Sequence, residues 1–331
     1  MPIYNTPVSF LKEAVESILN QTVQDFEFII VDDGSANEIK EYLEGLTDPR
    51  IRIIRNETNI GITKSLNIGL SAAHGQYIAR MDGDDISLPK RFEKQLAFME
   101  AHPDVIMCGT NVEFFGSKSF ISSHKISDME TYRIRMVFSN PGPMHPTAFF
   151  NRVLLEQYQI KYDEKLIYAQ DYGLWVEIAK HGKICILPEV LLKYRRHSQQ
   201  ISAEKREKQI QCDLMIKRRL LMELLGKVTE AELALHFRSS TMLDATISKE
   251  TIEWFERLMA ANAERQVYDR RKFNRYVYCT IYGRLIWNSL PKDATRFQKA
   301  KAFFRYLPFP DATRKVAEMC LWKVRQYLHL S

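Results

Sequence analysis

The sequence has no CxxC pair: its five cysteines, Cys108, Cys185, Cys212, Cys279 and Cys320, lie far apart. An odd, scattered set argues against a disulfide framework or a zinc site, and for a reducing compartment. No apolar run approaches the ~18 residues of a membrane span. Met1 leads straight into Pro2-Ile3-Tyr4-Asn5, which does not read as a secretory leader. GxGxxG and Walker A loops are both missing, so dinucleotide redox and ATPase chemistry lose their usual support. With 13 Gly, 12 Pro and no internal repeat, the chain is neither fibrous nor of low complexity. What is there is ordinary globular material: 331 residues, 45% hydrophobic and 27% charged. That amount suggests one large domain with an appendage, or two domains.

The formal charge of +6 is an average over unlike parts. From Arg265 to Ser331 there are 15 Lys or Arg against 4 Asp or Glu, a net +11, so the preceding residues carry −5. The basic stretch is crowded with rings, among them Phe273, Tyr276, Tyr282, Trp287, Phe303, Phe304 and Trp322. Cations interleaved with amphipathic rings suit an anionic membrane surface. They also suit nucleic acid, by stacking and phosphate neutralisation. A third reading is a helical appendage whose rings simply pack inward.

Periodicity gives the organisation. Residues 8 to 19 place Leu11, Val15, Ile18 and Leu19 at helical spacing. Phe26 to Val31 reads as a buried strand, Ile51 to Ile54 as a second and Tyr77 to Ala79 as a third. Asn37 to Leu46 is compatible with a helix, and another runs from about Thr63 to Ala73 with His74-Gly75 as its C-cap. A further helix begins at Pro89 and ends near His102, before a strand from Val105 to Cys108. This alternation predicts an α/β fold, a mostly parallel sheet flanked by helices. Residues 111 to 200 are less regular, and beyond Ser202 the pattern turns helical.

Two acidic turns fall where open parallel sheets bind ligands, beyond the carboxyl ends of strands. They are Asp32-Asp33-Gly34-Ser35 and Asp82-Gly83-Asp84-Asp85. Carboxylates this close repel and need cations or donors to offset that. A divalent cation bridging a substrate diphosphate meets the need, as do ribose hydroxyls. Helix-capping aspartates are the structural alternative for each turn taken alone.

The ordered set of motifs resembles glycosyltransferase family 2. It comprises Pro2-Ile3-Tyr4-Asn5, Ile29-Ile30-Val31-Asp32-Asp33-Gly34-Ser35, Asn59-Ile60-Gly61, Ser65-Leu66-Asn67-Ile68-Gly69 and Tyr77-Ile78-Ala79-Arg80-Met81-Asp82-Gly83-Asp84-Asp85. His145-Pro146-Thr147, Gln170-Asp171-Tyr172-Gly173-Leu174-Trp175 and the segment ending Tyr194-Arg195-Arg196-His197 continue it. The resemblance covers about residues 1 to 202 and is closest to bacterial enzymes that extend lipooligosaccharide, capsule or other surface glycans.

That resemblance implies a GT-A domain over 1–202 and a helical C-terminal region over 203–331, basic and aromatic from about 265. It implies an inverting hexosyl- or N-acetylhexosaminyltransferase using a nucleoside-diphosphate sugar, usually UDP-linked, with Mn²⁺ or Mg²⁺. By the same resemblance Pro2, Tyr4, Asn5 and Asp33 surround the base, and Asp82 and Asp84 form the DxD motif, with Asp84 the better metal ligand. Asp171 is the general base that inverting transfer requires. His197 would complete the metal shell or touch the diphosphate, or be a loop histidine without a ligand role. His145 and Trp175 would line the acceptor site, or be buried core residues. The acceptor would be a glycan or glycolipid, and the enzyme cytoplasmic, at the inner face of the plasma membrane. A lipid-linked acceptor favours membrane contact by residues 265–331 and sets nucleic acid aside.

Two departures stand out. Family members carry an apolar strand before the Pro-x-Tyr-Asn segment, where this chain has only Met1, so a start assigned late is expected. Gln170 stands where Glu usually precedes the base. Two rival functions remain: a non-catalytic nucleotide-sugar-binding subunit docked on a membrane or a synthase, and a nucleotidyltransferase, which shares the acidic turns but not the late Asp171 and Arg-Arg-His segments.

Overall fold

The computed structural model describes residues 1–291, except 118, 123, 127, 198–205 and 242–244. The expected boundary at 202/203 therefore lies outside the described residues. The chain divides into two units, one of Met1–Met129 with Gly142–Asp213, the other of Glu130–Pro141 with residues from Leu214 on.

In the first unit, helix α1 (Val8–Leu19) buries Leu11, Ala14, Val15 and Ile18 while Lys12, Glu13 and Glu16 face water. Four apolar groups on one stripe hold an amphipathic helix against its sheet, each burial contributing roughly 1.5–3 kcal/mol for the larger side chains. That sheet is parallel, in the order β1 (Pro2–Ile3), β2 (Phe28–Asp32), β3 (Ile51–Arg55). Met1 N extends the ladder by donating to Ile29 O at 2.9 Å. Beside the short β1 lies a cavity of about 610 Å³ lined by Phe28 and Val31 of β2 and by Tyr77 and Ala79.

The second sheet of this unit is mixed. It runs β4 (Tyr77–Ala79), β8 (Phe149–Asn151), β6 (Val105–Gly116), β9 (Lys183–Arg196), β5 (Ile86–Ser87), with β7 (Phe120–Ile121) on β6. Only β6 and β9 pair in parallel here; the other pairs are antiparallel. The α/β architecture with flanking helices is as expected, but its parallel part is confined to β1–β3 and β6–β9.

Local boundaries moved for identifiable reasons. Helix α3 (Ile62–Ala72) ends on Ala73 in an extended conformation, not on a His74-Gly75 cap. The His74 and Gly75 amides instead donate to Glu27 Oε1, at 2.6 and 3.3 Å. Helix α4 (Arg91–Ala101) starts two residues after Pro89, whose carbonyl accepts from Thr22 N. The strand expected at 105–108 continues to Gly116. Residues Val105 to Val112 are buried without a break, so alternation gives no signal. Its partner β9 holds Pro188-Glu189 as an extra pair between the residues facing Thr110 and Asn111. A bulge is where a strand admits proline; Asn111 Nδ2 donates to the Pro188 carbonyl at 3.0 Å.

The second unit is helical as described. Its core joins Ile134, Val137 and Phe138 to Leu221, Phe255, Leu258, Phe273 and Tyr282. Helices at Glu230–Thr241, Lys249–Arg265 and Arg270–Tyr276 contribute, the second with a Ser248/Thr251 capping box. Tyr268, Phe273 and Tyr282 are buried, with Tyr276 and Tyr278 packed against the same core. For these rings the inward-packed reading holds. Trp287 is exposed, and the part of the expected membrane-contact stretch 265–331 from residue 292 on lies outside the described residues. No described helix is long and apolar enough to cross a membrane.

Candidate active site

Both acidic turns belong to the first unit, and in each a glycine allows close packing against a neighbouring segment. Gly34 has φ +74°, and a Cβ there would stand 2.7 Å from the Thr58 carbonyl carbon, so only glycine lets the first turn pass under residues 58–59. A Cβ on Gly83 would meet Ile3 Cγ2 at 2.7 Å, which sets the second turn directly against β1.

In the first turn Asp33 is an organiser of its surroundings. Its carboxylate accepts from Asn56 Nδ2 at 2.8 Å, Ile60 N at 3.0 Å and Gly61 N at 2.9 Å. Asp32 accepts from Ser35 N and pairs with Arg55 Nη1 at 3.0 Å. Pro2 is buried on β1 and Tyr4 is exposed beside it. Asn5 donates its amide to Ser35 Oγ and accepts from Ala36 N, tying that segment to the turn. Pro2, Tyr4, Asn5 and Asp33 thus surround one turn.

In the second turn, oxygens of Asp82, Asp84 and Asp85 come within 4.8 Å of one another. Arg80, nearly buried, grips Asp82 through both guanidinium arms, each at 2.5 Å. Arg91, fully buried on α4, donates to the Arg80 carbonyl, and burial with the Arg80 charge lowers its pKa to about 9. Asp84 Oδ2 meets His197 Nε2 at 2.9 Å across 113 positions of sequence. Burial and then the Asp82 charge push the Asp84 carboxyl up. Asp85 is pushed well up by burial and by Asp82 and Asp84. Its Oδ2 is buried with no hydrogen-bond partner, as is His197 Nδ1.

This donor set fits a divalent cation. Three converging carboxylates and one imidazole suit Mn²⁺ or Mg²⁺, and a +2 charge would offset the burial and the repulsion that raise Asp84 and Asp85.

Asp171 is the second residue of helix α7 (Gln170–His181). That position is at the positive end of the helix dipole. Gln170 Oε1 beside it is buried without a partner. Tyr162, which carries no motif, is a buried phenol raised mainly by burial, with Arg80 opposing and the Asp171 and Asp82 charges adding to the rise. Its hydroxyl lies 2.8 Å from His145 Nε2. Burial and the Arg80 charge push His145 well down, so its imidazole is neutral. Trp175 is fully buried, edge-on to His145 at 5.8 Å and beside Phe150. It presents no exposed ring face.

The residues read from sequence thus gather at the two turns and around Asp171, apart from Trp175, which lies in the core. Sequence reading missed Arg80 and Tyr162. Arg80 left one usable signal, a cation leaving an apolar strand two residues before an acidic turn.

Comparison with known proteins shows the family and the fold. The Glycosyl transferase family 2 model matches residues 1–159. An uncharacterized glycosyltransferase of Methanocaldococcus jannaschii is 41% identical over 207 residues, 59% of this chain and 69% of that protein. The amylovoran biosynthesis glycosyltransferase AmsE of Erwinia amylovora is 30% identical over 214 residues, 63% of this chain and 79% of that one. Among solved structures, S. aureus TarS 1-349 in complex with UDP-GlcNAc has a similar fold. Its TM-score is 0.56 at 17% identity, over 97% of this chain and 90% of that one.

Proposed function

The chain belongs to glycosyltransferase family 2, and on that premise we propose that it transfers a sugar from a UDP-linked donor to a hydroxyl of a growing bacterial surface glycan, with inversion at the anomeric carbon. Its location would be cytoplasmic, at the inner face of the plasma membrane. The UDP-GlcNAc complex of TarS supports the donor class, and amylovoran biosynthesis by AmsE supports the acceptor class. The observation that carries the reading is the second acidic turn with His197 drawn onto it, in the same unit as the helix-start Asp171.

In this mechanism the Asp33 turn holds the nucleoside end of the donor, with Pro2, Tyr4 and Asn5 around it. Asp82, Asp84 and His197 would hold Mn²⁺ or Mg²⁺, which would supply positive charge to offset that developing on the departing diphosphate. Asp171 takes the proton of the acceptor hydroxyl as its oxygen attacks the anomeric carbon. The bond from that carbon to the diphosphate breaks on the opposite face, and the nucleoside diphosphate leaves with the electron pair. Neutral His145, bonded to Tyr162, orients the acceptor side without competing for the proton. General-base catalysis contributes about 10²- to 10⁴-fold. Asp171→Asn is therefore expected to lose that much transfer, measured with purified acceptor across a panel of UDP-sugars, while UDP still binds. Full transfer by the variant would overturn the assignment.

A further inference from the structure

Arg195, next to last in β9, meets the second acidic turn through both its backbone and its side chain. Its backbone N–H donates to Asp85 Oδ1 at 2.8 Å and its Nε donates to the Asp84 carbonyl at 2.8 Å. Its Nη2 reaches Glu13 on α1 at 2.9 Å. The guanidinium carbon lies over two rings, 4.2 Å from the Phe10 centroid and 4.5 Å from that of Phe115. Phe10 also packs against the His197 ring, at 5.4 Å.

We propose that Arg195 is a positioning residue that fixes Asp84 and His197 in the geometry needed to hold the divalent cation. The Asp84 peptide is held by Nε, and its carboxylate is met by His197, two residues further along the same chain. Phe10 supports the cation and the imidazole together. One clamped side chain thereby sets two donors separated by 113 positions, and Glu13 anchors the clamp to α1. The role needs a flat, forked cation, because a lysine ammonium cannot stack on two rings while donating along two fixed directions. Groups that orient metal ligands in this way are worth about 10- to 100-fold in metal affinity.

The proposal rests on the metal reading of the proposed function, and the test separates the two. Mn²⁺ is titrated into the full chain with UDP present and followed by electron paramagnetic resonance, with thermal melting recorded in parallel without metal. For Arg195→Lys the Mn²⁺ dissociation constant is expected to rise about 10- to 100-fold. Glu13→Gln, a change at a half-exposed position, should raise it less but in the same direction and keep the fold even if Arg195→Lys does not. A dissociation constant within twofold of the unaltered chain, in Arg195→Lys if it folds and otherwise in Glu13→Gln, overturns the proposal and leaves the metal reading standing. Absence of Mn²⁺ binding by the unaltered chain would remove the metal reading and the proposal together.

Discussion

The two units bury ionisable groups on opposite terms. In the helical unit, Lys217 is fully buried but donates to the Phe138 carbonyl and to Thr241 Oγ1, at 2.8 and 2.9 Å. His236, equally buried, has both ring nitrogens engaged, with Val137 O at 2.8 Å and Trp254 Nε1 at 3.1 Å. In the sheet-bearing unit, three carboxylates crowd one turn, two of them raised by burial and by neighbouring carboxylates, Asp82 above all, and Asp85 Oδ2 has no partner. A satisfied buried group stabilises a core; a frustrated cluster costs stability and persists where a ligand completes it. The contrast is between these particular groups: Lys217 and His236 are satisfied, whereas the carboxylates of the second acidic turn leave Asp85 Oδ2 unsatisfied.

The largest effect that would sharpen this contrast lies in the helical core. Phe255 is fully buried against Phe138 and Tyr282. Phe255→Ala should destabilise by about 3–5 kcal/mol, read by denaturant unfolding.

A smaller effect is titratable. Burial and then the Lys217 charge lower the His236 pKa from 6.5 to about 3, against the opposing hydrogen bond to the Val137 carbonyl. The unfolded chain therefore takes up a proton near pH 6.5 that the folded one refuses until about pH 3. Stability from this group is complete above pH 6.5 and is lost as pH falls towards 3, at up to ~1.4 kcal/mol per pH unit. His236→Gln should flatten that part of the stability-versus-pH curve in urea titrations. An unchanged slope would break the comparison on its structural side.

How far the sequence disclosed all this depends on the scale of the cause. Elements set by local periodicity, such as α1 and β2, and turns marked by clustered aspartates were legible, and so was the candidacy of Asp33, Asp84, Asp171 and His197. Strand β9 was not, because its Pro188-Glu189 bulge imitates a loop until β6 is seen beside it. The end of α3 was misjudged because Glu27, 47 positions from His74, takes the amides that a glycine cap would have served. Arg80 and Arg195 were readable as basic residues but not as clamps, since their partners and their burial exist only after folding. Tyr162 had no sequence signal at all.

The smallest expected change in stability belongs to the site itself. Asp84→Asn removes one of three mutually repelling carboxylates while its amide oxygen can still accept from His197, so the metal-free melting midpoint should hold or rise. The same change removes the carboxylate expected to ligate the cation, which contributes several kcal/mol to charge stabilisation, so Mn²⁺-supported turnover of the UDP-sugar should fall by about a hundredfold or more. Measuring both in one variant tests the central claim that this cluster is kept for catalysis at the expense of stability. Lost turnover with an undiminished midpoint is the predicted result; retained turnover, or a midpoint lowered as by a core substitution, would contradict it.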